Sequence, residues 1–270
     1  MKKIAICGDS FCAPSTKPEF KGTSWGELLA KKLDWELLHY ARQGCSNGGI
    51  RIQIDEAIKR KVDFVIIGAT SHDRIEIPST AAPYNQLTTE KKVWGNDLQT
   101  HLLNTEIMNG YDPSAGIDNI NYGNNNYRMI CETIFSLAEN LPHPYRSSKI
   151  DKETQTAVKY YLNNMYDSNW KKQMDEWILV QGFYELIQNH IPFFVDPNIL
   201  WNTGNIRERV SMGIPDKHLR MNKSETISGG IDLFPLKNYN DDPGYHGELE
   251  SQEYISNVFF NIIKNEWGVI

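Results

Sequence analysis

Residues 62–69 read VDFVIIGA, an almost unbroken apolar run bounded by charge. A strand with one wet face alternates apolar and polar side chains. A strand apolar throughout is covered on both faces, as in a parallel sheet lying between two helix layers. The residues before this run fit that setting. Residues 2–7 (KKIAIC) read as a short buried strand, and a second strand lies near Trp35–Ala41. Between them a helix is expected over Trp25–Leu33, capped by Thr23 or Ser24, with Leu28, Leu29 and Leu33 near helical spacing. A further helix is expected over Gly49–Arg60, with Ile50, Ile54 and Ile58 on one stripe. Strand, helix, strand, helix, strand in sequence implies parallel strands joined by right-handed crossovers. The expected fold class is therefore α/β, a three-layer α/β/α sandwich on a parallel sheet.

Residues 78–126 break the rhythm. They are rich in Asn, Thr, Pro and Gly, and five asparagines fall between Asn119 and Asn126. A loop this long within a compact domain is usually functional or mobile. Helices are then expected over Tyr127–Asn140, Lys152–Asn163 and Trp170–Asn189, followed by a buried strand at Ile191–Val195 (IPFFV). Residues 201–240 read as turns with one short helix, and Ser251–Trp267 as a closing amphipathic helix. No linker or internal repeat divides the chain. A single domain over 1–270 with a helical and loop insertion at about 78–180 is the simplest organisation.

The 28 basic and 34 acidic residues leave a net charge of −6, which argues against a general nucleic-acid binder and leaves room only for a local basic patch. No stretch approaches the roughly 20 apolar residues that span a bilayer, so no membrane partner is expected. Met1-Lys2-Lys3 resembles the basic start of a signal peptide, but only Ile4–Cys7 follow before Gly8-Asp9-Ser10, too short an apolar core for one. The expected location is cytoplasmic. Cys7, Cys12, Cys45 and Cys131 form no C-x-x-C pair and read as small packed thiols. Neither G-x-G-x-x-G nor G-x-x-x-x-G-K-[ST] occurs, and no H-x-H or H-E-x-x-H pair, so neither cofactor nor metal is expected.

In an open parallel sheet, ligands bind beyond the carboxyl ends of the strands. Those positions hold Gly8-Asp9-Ser10-Phe11, Arg42 to Asn47, and Gly68 to Asp73. Ahead of the last helix stand Asp241-Asp242-Pro243-Gly244-Tyr245-His246-Gly247. These residues supply nucleophilic acyl chemistry. A serine hydroxyl is inert until a base takes its proton, and a carboxylate must orient that base. Ser10 is the candidate nucleophile, His246 the base and Asp242 the orienting acid. Oxyanion donors would be the Ser10 and Gly44 N–H groups and a hydroxyl from Thr70 or Ser71. Asn47, Ser71 and His72 are candidate substrate contacts. A competing motif is Gly44-Cys45-Ser46-Asn47-Gly48, which matches the G-x-S-x-G elbow of α/β-hydrolases, although too few strands precede it for that fold. Cys12 and Cys45 are weaker nucleophile candidates, lacking a histidine of their own. Each feature also has a plain reading. Gly-Asp-Ser is a common turn after a strand, His246 alone is a surface histidine, and His72-Asp73 is a loop. The aromatic residues Trp94, Tyr122, Tyr127, Tyr161, Trp170, Trp177 and Trp201 could stack on sugar rings, but core packing of the inserted helices explains most of them.

Taken together and in this order, the motifs resemble those of the SGNH hydrolases, the GDSL-like esterases and lipases. Gly8-Asp9-Ser10 follows the first strand as in that family, and Gly44 matches its oxyanion glycine. Asp242 and His246 match its final acid–histidine block. The resemblance covers residues 1–75 and 190–265 and leaves 78–180 uncovered. Two departures stand out. Thr70 occupies the place of the oxyanion asparagine, and Asp242 lies four residues before His246, Asp241 five, where the family has three. Which aspartate orients the ring stays open. The resemblance implies a flavodoxin-like SGNH fold and hydrolysis of an ester through an acyl-enzyme on Ser10. The implied substrate is an O-acyl or acetyl group of a carbohydrate or other small polar molecule, with residues 104–126 as a lid or selecting loop. The alternative is a catalytically inactive binding or structural module of that fold within a larger assembly such as a virus particle. The oligomeric state is left open.

Overall fold

The computed structural model describes residues 1–14, 18–41, 45–72, 74–78, 102–103, 121–122, 125–126, 129–133, 152–196, 216–218, 227 and 247–268. Strand β1 (Lys3–Cys7) leads through a short 3₁₀ turn to helix α1 (Trp25–Leu33), strand β2 (Glu36–His39), helix α2 (Asn47–Lys59) and strand β3 (Phe64–Gly68). Strands β4 (Arg74–Pro78), β5 (Leu102–Leu103), β6 (Asn121–Tyr122), β7 (Asn125–Asn126) and β8 (Met129–Thr133) come next. Helices α3 (Lys152–Asn164) and α4 (Ser168–Gln188) precede strand β9 (Phe193–Asp196), and helix α5 (Leu249–Ile262) runs on into a π turn at Ile263–Trp267.

Local chemistry sets these boundaries. Ser24 caps α1 in a reciprocal box: its hydroxyl accepts from the Glu27 N–H, and the Glu27 carboxylate accepts the Ser24 N–H at 3.1 Å. Asp34 ends that helix in the left-handed region, φ 56°, which aspartate tolerates better than most residues. Asp167 caps α4 by accepting the Trp170 N–H at 2.7 Å.

The chain is an α/β fold on a parallel four-stranded sheet in the order β2-β1-β3-β9. Ile6 pairs with His39 and with Ile66, and Gly68 pairs with Asp196. The pleat divides the sheet's side chains between two cores. Ala5, Cys7, Val65, Ile67, Phe193 and Val195 pack under α2 and α4, with Ile50, Ile54, Leu179 and Phe183. Ile4, Ile6, Phe64, Ile66 and Phe194 pack under α1 and α5, with Trp25, Leu29, Ile255 and Phe259. That is why residues 62–69 read as apolar throughout: every residue of β3 is buried, on one face or the other. Each such aliphatic or aromatic side chain contributes about 1.5–3 kcal/mol.

Two sequence readings need correction. Residues 129–133, expected within a helix over 127–140, form strand β8, which pairs antiparallel with β4 and β5 in a second sheet. The strand at Arg74–Pro78 was not foreseen, although Arg-Ile-Glu-Ile alternates as a strand does. Helical periodicity cannot separate a short apolar segment such as Met-Ile-Cys-Glu from a strand, and the pairing partner decides. Of residues 201–240, only a 3₁₀ turn at Asp216–His218 and Ile227 fall among the described residues. Among the described residues, no helix is long and apolar enough to cross a membrane.

Candidate functional site

In the order β2-β1-β3-β9 the chain leaves β1 in one direction and β3 in the other, so the crevice opens at the carboxyl ends of β1 and β3. Gly8-Asp9-Ser10 leave one end, and Ala69-Thr70-Ser71 leave the other. Asp9 is fully buried, whereas Ser10 beside it is 7% exposed. A buried carboxylate must be satisfied, and among the described residues Asp9 has three partners. The Phe11 N–H donates to Oδ1 at 3.0 Å, the Thr70 hydroxyl donates to Oδ2 at 2.6 Å, and the Arg74 guanidinium pairs with Oδ2 at 3.2 Å. The Asp9 carbonyl accepts from the Cys12 and Ala13 N–H groups at 3.0 and 2.9 Å. The turn carrying Ser10 is thus held by both the side chain and the backbone of its neighbour.

Glycines permit the close approach beneath this turn. A Cβ on Gly8 would lie 2.5 Å from Cys12 Sγ, and one on Gly68 would also fall inside contact distance of that sulfur. Cys12 therefore packs directly against both glycines, beneath the Ser10 turn. Burial pushes its thiol well above the ordinary range, and the Asp9 and Asp196 charges push it further. Cys7 is raised by burial alone. Both stay protonated at neutral pH and are poor nucleophiles.

The loop ahead of α2 is tied into the same place. The Gln53 side chain accepts the Gly8 N–H at 2.6 Å and donates to the Gly8 carbonyl at 3.2 Å and to Cys45 Sγ at 3.2 Å. The Cys45 carbonyl accepts from Arg74 Nη1 at 2.9 Å. Ser46 is fully buried and caps α2, its hydroxyl accepting the Gly49 N–H at 3.3 Å. That capping role, next to the edge strand β2, weighs against Ser46 as the serine of a nucleophile elbow.

Asn47 is buried and brackets Thr70, accepting its N–H at 3.0 Å and donating to its carbonyl at 2.9 Å. Asn47 also donates to Asp175 of α4 at 3.1 Å, and Asp175 pairs in turn with Lys171. Thr70 is buried and gives its only hydroxyl hydrogen to Asp9. Ser71 and His72 are half-buried beside the crevice, and the His72 carbonyl accepts from the Tyr166 hydroxyl at 3.4 Å.

No family model matches the chain, and no curated protein does either.

Of the sequence-derived candidates, the geometry gathers Ser10, Thr70 and Asn47 about one crevice. Gly44, Asp241, Asp242 and His246 lie outside the described residues. Described residues do mark where the final helix begins. Gln252, in the first turn of α5, accepts the Trp25 N–H at 3.0 Å, and the Trp25 indole donates to the Phe11 carbonyl at 3.0 Å. The start of α5 is thus two hydrogen bonds away from the residue after Ser10. Among the described residues, no group of three His, Cys, Asp or Glu side chains could hold a metal ion.

Sequence reasoning missed Asp9 as the anchor of the turn, and Arg74, Gln53 and Asp175 as its supports. Gln53 was detectable, because a polar residue interrupts the apolar stripe Ile50–Ile54–Ala57. Arg74 and Asp175 carry no such signal, since both act across elements distant in sequence.

Proposed function

We propose that the chain is an SGNH-type serine hydrolase that cleaves an ester. The observation that carries this reading is the setting of Ser10. It follows the central strand at the point where the strand order reverses, on a turn anchored by a buried carboxylate with three partners among the described residues, and it is more exposed than that carboxylate. The start of α5 beside the Trp25–Phe11 link supports it, because in sequence His246 lies just two residues before Glu248, the N-cap residue of that helix. In this reading His246 takes the Ser10 proton as Oγ attacks the acyl carbon. His246, oriented by Asp242 or Asp241, then returns the proton to the leaving alcohol, and water repeats the sequence to free the acid. The Ser10 and Gly44 N–H groups receive the oxyanion, with Thr70 joining if its hydroxyl turns from Asp9. Substrates are O-acyl, chiefly acetyl, groups on a carbohydrate or other small polar alcohol, and residues 104–126 select among them.

The test is labelling with a fluorophosphonate probe, comparing wild type with Ser10→Ala and Ser46→Ala, followed by turnover of acetyl esters. Labelling lost only in Ser10→Ala supports the reading. Labelling lost only in Ser46→Ala, or esterase activity retained in full by Ser10→Ala, overturns it.

One observation favours a second reading, a catalytically inactive binding or structural module of the same fold within a larger assembly. The residue in the oxyanion-asparagine position is Thr70, and its one hydrogen is directed at Asp9. Folded wild type that neither labels nor turns over acetyl esters would favour this second reading.

A further inference from the structure

We infer that Arg74 is a positioning residue that locks the Ser10 turn to the loop ahead of α2, so that the nucleophile and the oxyanion donors stay in register. This rests on the hydrolase reading above.

The argument starts from a single nitrogen. Arg74 Nη1 carries two hydrogens. It lies 2.9 Å from the Cys45 carbonyl oxygen and 3.2 Å from Asp9 Oδ2. Cys45 directly follows Gly44, the proposed oxyanion glycine, and Asp9 directly precedes Ser10. One cation therefore spans the two backbone segments whose relative placement an acyl-transfer site depends on. The ion pair is sheltered, because Asp9 is buried and the Arg74 side chain is only 13% exposed. In such surroundings a charge-assisted bond is stronger and more directional than one at the surface. Arg74 opens β4, which is held by antiparallel pairing from Arg74↔Thr133 to Pro78↔Met129. The guanidinium is thus anchored to a second sheet. Gln53 makes a parallel link between Gly8 and Cys45 Sγ, but it is neutral and leaves the Asp9 carboxylate untouched. Arg74 is the group that joins the Cys45 loop to the carboxylate anchoring Ser10. Among the described residues it acts through Asp9 and Cys45.

The test compares full-length wild type with Arg74→Met, which keeps length and loses charge, and with Arg74→Lys, which keeps charge and loses the planar fork. Three quantities are read: amide hydrogen exchange, the rate of fluorophosphonate labelling, and kcat and KM on p-nitrophenyl acetate. In Arg74→Met, exchange should rise at the Phe11, Cys12 and Ala13 amides and in the 45–49 segment, with β1 and β3 unchanged. Labelling rate and kcat should fall roughly 10- to 100-fold, with KM within about twofold. Arg74→Lys should recover part of both losses. Exchange at those amides unchanged in Arg74→Met overturns the lock. So does a loss of protection spread over β1 and β3 with no recovery in Arg74→Lys, which marks a merely structural role. If wild type is not labelled at Ser10, the hydrolase reading fails by itself. The exchange pattern then decides alone for or against the lock.

Discussion

The Thr70 hydroxyl donates to Asp9 Oδ2 across 2.6 Å, and this bond joins the segments leaving β3 and β1. Both residues are buried, so loss of the hydroxyl leaves Asp9 short of a buried donor. Thr70→Val, nearly identical in shape, should cost about 1–2 kcal/mol in urea unfolding. Thr70→Ser should retain the bond and cost less. A Thr70→Val protein as stable as wild type would mean that Arg74 and the Phe11 N–H satisfy Asp9 unaided.

The packing of Cys12 against the two glycines predicts an asymmetric rescue. Gly68→Ala should destabilise by roughly 1–3 kcal/mol, because its new methyl meets Cys12 Sγ. Cys12→Ala removes that sulfur, so the double variant should recover most of the loss. Gly8→Ala should not be rescued in the same way, since its methyl would also lie 2.8 Å from Cys12 Cβ. Chemical unfolding of the three single variants and the two double variants reads the coupling directly. Equal rescue at both glycines would contradict this packing.

Asn47 and Asp175 should behave as one unit. Asn47→Ala strips the buried Thr70 N–H and carbonyl of their partner, and Asp175→Ala leaves Lys171 and the Asn47 amide without their carboxylate. Each should cost about 2–4 kcal/mol. The double variant should cost at least 1 kcal/mol less than the sum, the mark of a shared network. Additive losses would separate the two contacts.

The buried thiols make stability fall in alkaline solution. Cys7 and Cys12 are raised in the folded chain, so they hold their protons where unfolded thiols, with a pKa of about 8.5, have lost theirs. The unfolded state then binds fewer protons, and the free energy of unfolding decreases with pH. The contribution is complete below about pH 8 and is lost above the ordinary thiol range, at about 1.4 kcal/mol per pH unit for each thiol. Urea midpoints between pH 7 and pH 10 should show this slope, and Cys12→Ala should reduce it. An unchanged slope in Cys12→Ala would remove that residue from the account.

The central sheet was legible because its signals are local. An apolar run covered on both faces names a parallel strand, and Ile50 and Ile54 at helical spacing name a packed helix. Right-handed crossovers allow either β1-β2-β3 or β2-β1-β3, and it is the observed order β2-β1-β3 that brings Ser10 and Thr70 to neighbouring strand ends. What Thr70 does there could not be foreseen. Its residue type suggests a free donor, whereas its hydrogen is taken by Asp9. Strand β8 was misread because five residues carry too little periodicity to choose between helix and strand without their partner β4. Arg74 escaped notice because its two contacts require three elements to be assembled first.

The link between Trp25 and Gln252 has a consequence for how the molecule is made. The two residues are 227 positions apart, and the contact ties the first turn of α1 to the first turn of α5. During synthesis the helix that braces the Ser10 turn through Trp25 is translated long after that turn. Strand β9 is likewise a late partner for β3. Contacts of such separation form slowly, after long loop closures. A nascent chain therefore carries its serine without this brace until α5 has been made.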